Sequence, residues 1–131
     1  MFNFSGTRPS NLGVNGGKLA AVPDSPNCVS SQAPTDDSEH YVAPLTLAGG
    51  ASEAIAKLKA TVQAMDGTEI IEETADYLYA EFTTKLMGYV DDVEFYADGS
   101  GTVQVRSASR LGKSDLGLNR KRVEAIRSAL V

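Results

Sequence analysis

The chain has 131 residues, enough for one domain to bury a core without disulfides or structural metals. Its single cysteine, Cys28, excludes an intramolecular disulfide and any zinc site built on two or more thiolates. A formal net charge of −5 argues against general nucleic-acid binding, which depends on Lys and Arg neutralising phosphates, and no apolar run approaches the ~18 residues of a membrane span.

Residues 1–50 carry all five prolines, several glycines and many Ser and Asn, the composition of turns and irregular chain. Met1–Gly6 lacks the basic cap and apolar core of a secretory signal, so the chain as given is expected to be cytoplasmic. Leu12, Val14, Leu19, Val29, Val42, Leu45 and Leu47 give this arm enough apolar side chains to dock on a neighbouring surface. Ala51 to Met65 reads as a helix, because Ala51, Ala54, Ile55, Leu58, Val62 and Met65 recur at three- and four-residue steps. Ser52 is its expected N-cap, and Asp66-Gly67 its stop.

The period then changes from helical to alternating. Thr68–Thr74, Tyr77–Thr84, Asp91–Ala97 and Thr102–Ser107 are four expected strands. Leu78, Ala80 and Phe82 fall on one face against Tyr77, Tyr79 and Glu81; Val93, Phe95 and Ala97 oppose Asp92, Glu94 and Tyr96. A closing helix from about Asn119 to Leu130 has Val123, Ile126, Ala129 and Leu130 as its stripe and Asn119 as expected N-cap. The expected architecture is α+β: a four-stranded antiparallel meander packed by two helices, with an irregular arm over 1–50 docked on a core over 51–131, in one domain overall.

Charge is divided unevenly. Residues 106–131 hold seven basic and two acidic side chains, a net of +5, against −10 for residues 1–105. Arg106, Arg110, Lys113, Arg120 and Arg122 are therefore the candidate anion- or partner-binding residues. Asp91, Asp92, Glu94 and Asp115 are their candidate internal partners. Three cations, Arg120, Lys121 and Arg122, open the closing helix at its positive end, which calls for a compensating negative charge. In the last hairpin, matching faces put Arg106 opposite Asp92 or Glu94. Tyr77, Tyr79 and Tyr96 share the polar sheet face, where the arm is expected to cover them.

Three stretches resemble the motifs of the domain-of-unknown-function family numbered 1499. They are Pro23–Gln32 (PDSPNCVSSQ), Gly88–Phe95 (GYVDDVEF) and Arg106–Glu124 (RSASRLGKSDLGLNRKRVE). Their order and length carry the resemblance over most of the chain from about Asn11, in wording most like cyanobacterial and plastid members. Many relatives resemble Cys-Pro-x-Ser-Pro-Asn-Cys; here Val22 stands at the first cysteine, which argues against a two-thiol role and fits a reducing compartment. Relatives often carry a signal, lipoprotein or transit peptide, of which this chain shows none. The resemblance implies no activity.

Other patterns carry less chemistry. Asp91 and Asp92, as strand neighbours, point to opposite faces and are badly placed to share a proton; one is expected to face arginines and the other to serve a turn. Nothing in the spacing joins Cys28 to His40 as nucleophile and base. Asp98-Gly99-Ser100-Gly101 has the look of a calcium loop, but the register would make Tyr96 and Ser107 the terminal ligands, so it reads as a hairpin turn. Gly16-Gly17-Lys18 lacks the full phosphate-loop pattern. With no nucleophile, metal set or cofactor motif, the expected function is a non-catalytic binding or assembly module whose partner is a protein or a small anion. An enzyme or carrier holding a small anion through the arginines is the alternative, and a structural scaffold the third reading. A ligand site predicts arginines converging in a pocket without neutralising carboxylates, whereas an assembly module predicts a partly apolar exposed patch.

Overall fold

The switch from helical to alternating periodicity marks the passage from a covering helix to the sheet beneath it. The computed structural model describes residues 4–85, 87–112 and 115–130. Its elements in chain order are β1 (Cys28–Ser30), β2 (Leu45–Thr46), α1 (Ala51–Gln63), β3 (Thr68–Glu73), β4 (Tyr77–Thr83), β5 (Val90–Ala97), β6 (Thr102–Ser109) and α2 (Leu118–Ala129). The fold is α+β, with two helices on an antiparallel sheet.

The sheet has six strands, not four. Its order is β1-β6-β5-β4-β3, with β2 also pairing with β6. Residues 68–109 form the expected meander, and the two further strands come from the segment read as irregular. Cys28, Val29 and Ser30 pair with Ala108, Ser107 and Arg106, and Leu45 pairs with Val103, so both short strands close the outer edge of β6. The physical reason is the edge itself: β6 would otherwise present a row of open backbone donors and acceptors. At the opposite edge, β3 bears exposed Glu69, Glu72 and Glu73, and its pairing with β4 shifts register between Ile70 and Glu72.

One sheet face carries Val29, Leu78, Ala80, Phe82, Val93, Phe95, Val103 and Val105 against Ile55, Leu58 and Val62 of α1 and Val123 and Ile126 of α2. Burying each such large aliphatic side chain contributes about 1.5–3 kcal/mol before entropy is counted. The opposite face is covered by the arm, where Leu19, with Leu12 and Val14 beside it, packs on Tyr77, Tyr79 and Tyr96.

Two cap expectations are corrected. The N-cap of α1 is Gly50 in extended conformation, not Ser52. The N-cap of α2 is Gly117 in the left-handed region, not Asn119, which lies inside the helix and is fully buried. Asn119 is instead a cross-brace. Its Oδ1 accepts from the Ser107 hydroxyl at 2.6 Å, and its Nδ2 donates to Asp115 Oδ2, Ser109 Oγ and the Asn27 carbonyl at 2.7, 2.9 and 3.2 Å. A cap position facing solvent cannot make those bonds, so the helix starts earlier and draws Asn119 inward. The turn before β3 needs glycine: Gly67 has φ +76°, and a Cβ there would lie 2.3 Å from the Thr83 carbonyl oxygen. No helix among the described residues is long and apolar enough to cross a membrane.

Candidate functional site

The alternating pattern of β5 divides its acidic residues between the two sheet faces. Asp92 and Glu94 lie under the arm, and Asp91 lies under α2. On the arm side, Arg110, just past the end of β6, donates from Nε to Asp92 Oδ2 at 2.9 Å and from Nη2 to Asp92 Oδ1 at 2.8 Å. The same Nη2 reaches Glu81 Oε2 at 2.5 Å, and Arg8 of the arm grips that oxygen at 2.6 Å. Tyr79 donates a short hydrogen bond to Asp92. The Asp92 carboxylate, followed by Tyr79 and Glu81, raises the Arg110 guanidinium even above its ordinary range. Burial works against the Glu81 carboxylate, but hydrogen bonds from Arg8 and Arg110 prevail and hold it below its usual value.

Arg106 and Glu94 stand opposite each other in the β5–β6 register, one of the two pairings expected from the sequence. Their contact is loose, with Arg106 Nη1 4.0 Å from Glu94 Oε1. Glu94 Oε2 instead accepts from the Tyr77 hydroxyl at 2.6 Å and from the Gly13 amide of the arm at 2.7 Å. Arg106 Nη2 donates to the Ala21 carbonyl of the arm. Burial dominates and raises the Glu94 carboxyl, against the opposing pull of those hydrogen bonds and of Arg106. Both residues therefore fasten arm to sheet.

On the helix side, Arg122 Nη1 lies 2.7 Å from Asp91 Oδ2, and its guanidinium sits 4.9 Å from the centre of the Phe82 ring. Asp91 Oδ2 nonetheless makes no directional hydrogen bond among the described residues, so this contact is ionic and poorly aligned. Both aspartates thus meet arginines on separate faces, and neither serves the turn that one was expected to serve. Asp115 takes no arginine among the described ion pairs. Its carboxylate accepts from the Gly117 amide, the Asn119 amide and the Asn119 side chain at 2.8, 3.1 and 2.7 Å. Burial opposes its charge, but these donors hold its carboxyl below the ordinary value, and it supplies the negative charge that the cationic first turn of α2 calls for.

Arg120 donates to the carbonyls of Tyr41, Ser38 and Glu39 in the arm. It borders an open hollow of about 230 Å³ shared with Glu39 and Asp115, two acids that disfavour an anion there. Lys113 lies outside the described residues. The described candidate arginines are thus held by different partners: Arg106 and Arg110 beneath the arm, Arg122 beside Phe82, and Arg120 against the arm's carbonyls.

His40 is enclosed by its own loop. Its Nδ1 meets Asp37 Oδ2 at 2.7 Å and its Nε2 meets the Ser25 carbonyl at 2.9 Å. Two acceptors on the two ring nitrogens favour the imidazolium; the Ser25 carbonyl and then Asp37 raise its pKa. Cys28 is buried, and burial pushes its thiol up to about 11, far from a reactive thiolate.

A second feature was not singled out from the sequence. A cleft of about 250 Å³ opens at the end of the sheet where β4, β5, β6 and the start of α2 meet. Tyr89, Leu111, Leu116 and Leu118 line it, and they are the large apolar side chains that stand exposed among the described residues. Leu116 is 89% exposed and sits at φ +54°. A left-handed non-glycine backbone costs roughly 1–2 kcal/mol. Phe4 stacks on Tyr89 with ring centres 5.2 Å apart, fixing the rim. Asp91 and Ser109 contribute polar groups beside Asp115 and Thr84. The sequence signal was three leucines within eight residues, off any helical or alternating period.

Apart from Thr84, every described residue lining the cleft lies in Gly88–Phe95 or Arg106–Glu124. The third stretch, Pro23–Gln32, reaches the same region through Asn27. Its carbonyl accepts from the Ser109 amide at 3.0 Å, and its side chain donates to the Gly112 carbonyl at 2.6 Å. No curated protein and no solved structure matches the chain. The family model described as Protein of unknown function (DUF1499) matches residues 18–130, and the chain belongs to that family.

Proposed function

We propose that this protein is a non-catalytic binding module that engages its partner through the cleft bordered by Tyr89, Leu111, Leu116 and Leu118. The observation that carries this reading is the gathering of the exposed large apolar residues around one concavity, with Leu116 held there at a backbone cost. Placement of the cleft within two of the family-like stretches supports it further. The arginines serve the fold in this reading: they join arm to sheet and helix to strand, and their charge is largely met by internal carboxylates and carbonyls. That leaves little to recruit phosphates.

The test is a titration of methyl-labelled protein with toluene, a neutral apolar probe, followed by NMR. The reading expects saturable shifts confined to the methyls of Leu111, Leu116 and Leu118 and the ring of Tyr89, and their disappearance in Leu118→Glu. Shifts scattered over the surface, or none, would overturn it.

A further inference from the structure

The chain that lines the cleft is tied to the one histidine of the sequence through a short series of hydrogen bonds. We propose that the proton on His40 controls the cleft, a regulation that rests on the cleft being a binding site. The charged ring braces the segment bearing Ser109, Leu111 and Gly112, and loss of the proton slackens that brace.

The series begins at the ring. His40 is 6% exposed, with Asp37 Oδ2 2.7 Å from Nδ1 and the Ser25 carbonyl 2.9 Å from Nε2. Both neighbours are acceptors, so only the imidazolium can donate to both. Ser25 passes the constraint on. Its carbonyl accepts from the ring, and its hydroxyl donates to Asn27 Oδ1 at 2.8 Å. That bond fixes which end of the Asn27 amide points onward, and Nδ2 donates to the Gly112 carbonyl at 2.6 Å. The Asn27 carbonyl accepts from the Ser109 amide at 3.0 Å and from Asn119 Nδ2 at 3.2 Å. Ser109, Leu111 and Gly112 all line the cleft. Asn27 is buried, so water does not readily replace these bonds.

Deprotonation leaves the ring one donor for two acceptors. The remaining proton stays on Nδ1, because a hydrogen bond to the Asp37 carboxylate is charge-assisted and stronger than one to a carbonyl. The Nε2 lone pair then faces the Ser25 oxygen, two acceptors in contact. The ring is poorly placed to retreat, since the His40 carbonyl accepts from the Ser30 amide of β1 at 2.7 Å. Ser25 is half-buried and Pro26 exposed, so their turn gives way instead and carries Asn27 with it. The charges around the ring favour the proton without locking it. Asp37 and Glu39 lie on its own loop. Arg120 of α2 sits on the Ser38, Glu39 and Tyr41 carbonyls and shares the neighbouring hollow with Asp115. The Ser25 carbonyl and then Asp37 raise the ring's pKa, so release comes above the ordinary value of about 6.5.

The experiment follows the His40 ring, the Ser109 amide and the Leu111 methyls by NMR on the intact chain, from about pH 5.5 to 8.5, where a histidine titrates. The three are expected to share one midpoint, while the methyls of Leu58 in the core stay still. Toluene affinity is expected to fall by about two- to fivefold through that midpoint, as for the loss of one net hydrogen bond. Asp37→Asn is expected to move all of these midpoints down together, which a ring that only holds its own loop would not do. His40→Gln, neutral at every pH, is expected to abolish the dependence; should it unfold, the Asp37→Asn shift decides alone. Ser109 and Leu111 signals that stay still through the ring's midpoint, or that keep theirs when Asp37→Asn moves it, overturn the control and leave the cleft standing. Toluene affinity indifferent to pH does the same. Toluene failing to bind at every pH overturns the cleft, and this control with it.

Discussion

Arg110 grips Asp92 through two parallel hydrogen bonds, Nε to Oδ2 and Nη2 to Oδ1, with both side chains nearly out of solvent at 7% and 2% exposure. The planar fork matches a carboxylate in a way that a point charge does not. Truncation would strand Asp92 and weaken the hold on Glu81 at once. Arg110→Ala is expected to destabilise the fold by ~3–5 kcal/mol, the range seen when one partner of a buried ion pair is removed. Arg110→Lys is expected to recover only part of that. Lys121→Ala, at an exposed helix position, serves as the control within ~0.5 kcal/mol of the native chain. Urea unfolding measures all three; an Arg110→Ala midpoint equal to the control would refute the clamp.

Arg106 and Glu94 make a different case, because their contact is loose and Glu94 is wholly buried. Burial raises the Glu94 carboxyl, so its contribution to stability is fully present below the ordinary carboxylate range and is lost as pH rises through the raised value. Without Arg106 the ionised carboxylate would lose its nearest countercharge. Arg106→Ala is therefore expected to cost more stability than Lys121→Ala at pH 7, and the deficit is expected to shrink at a lower pH, where Glu94 takes up a proton. Urea unfolding at the two pH values decides it: an unchanged deficit counts against the electrostatic account.

His40 gives a prediction of opposite chemical origin and the same sign. Its pKa is raised by the Ser25 carbonyl and Asp37, so its stabilising effect is complete below about 6.5 and fades as pH climbs through the folded value. As the chain's one histidine, it is directly observable by NMR. The titration midpoint is expected above 6.5, and Asp37→Asn is expected to lower it. A midpoint at or below 6.5 in the native chain would mean that the ring is neutral and the two-acceptor arrangement does not hold it charged.

The meander was legible because its strands alternate: Leu78, Ala80 and Phe82 announce their face without help from the rest of the chain. The Arg106–Glu94 opposition followed from the same alternation, since only two registers kept like faces together. The strands Cys28–Ser30 and Leu45–Thr46 were not legible. Three residues and two residues are too few to show a period, and their conformation is imposed by the β6 edge that they close. Asn119 misled for a related reason: its side chain suits a cap, but Ser107, Ser109, Asp115 and the Asn27 backbone together offer it more bonds inside. Leu111, Leu116 and Leu118 belong to no repeating pattern, and their grouping emerges only when Tyr89, from the loop before β5, is brought beside them.

The acidic outer strand β3 and the short strands closing β6 bear on how this molecule behaves in company. Glutamates and a register shift along one flank, and two abbreviated ladders along the other, leave no long straight run of backbone for a neighbour to zip onto. Both features disfavour edge-to-edge stacking of copies in crowded solution.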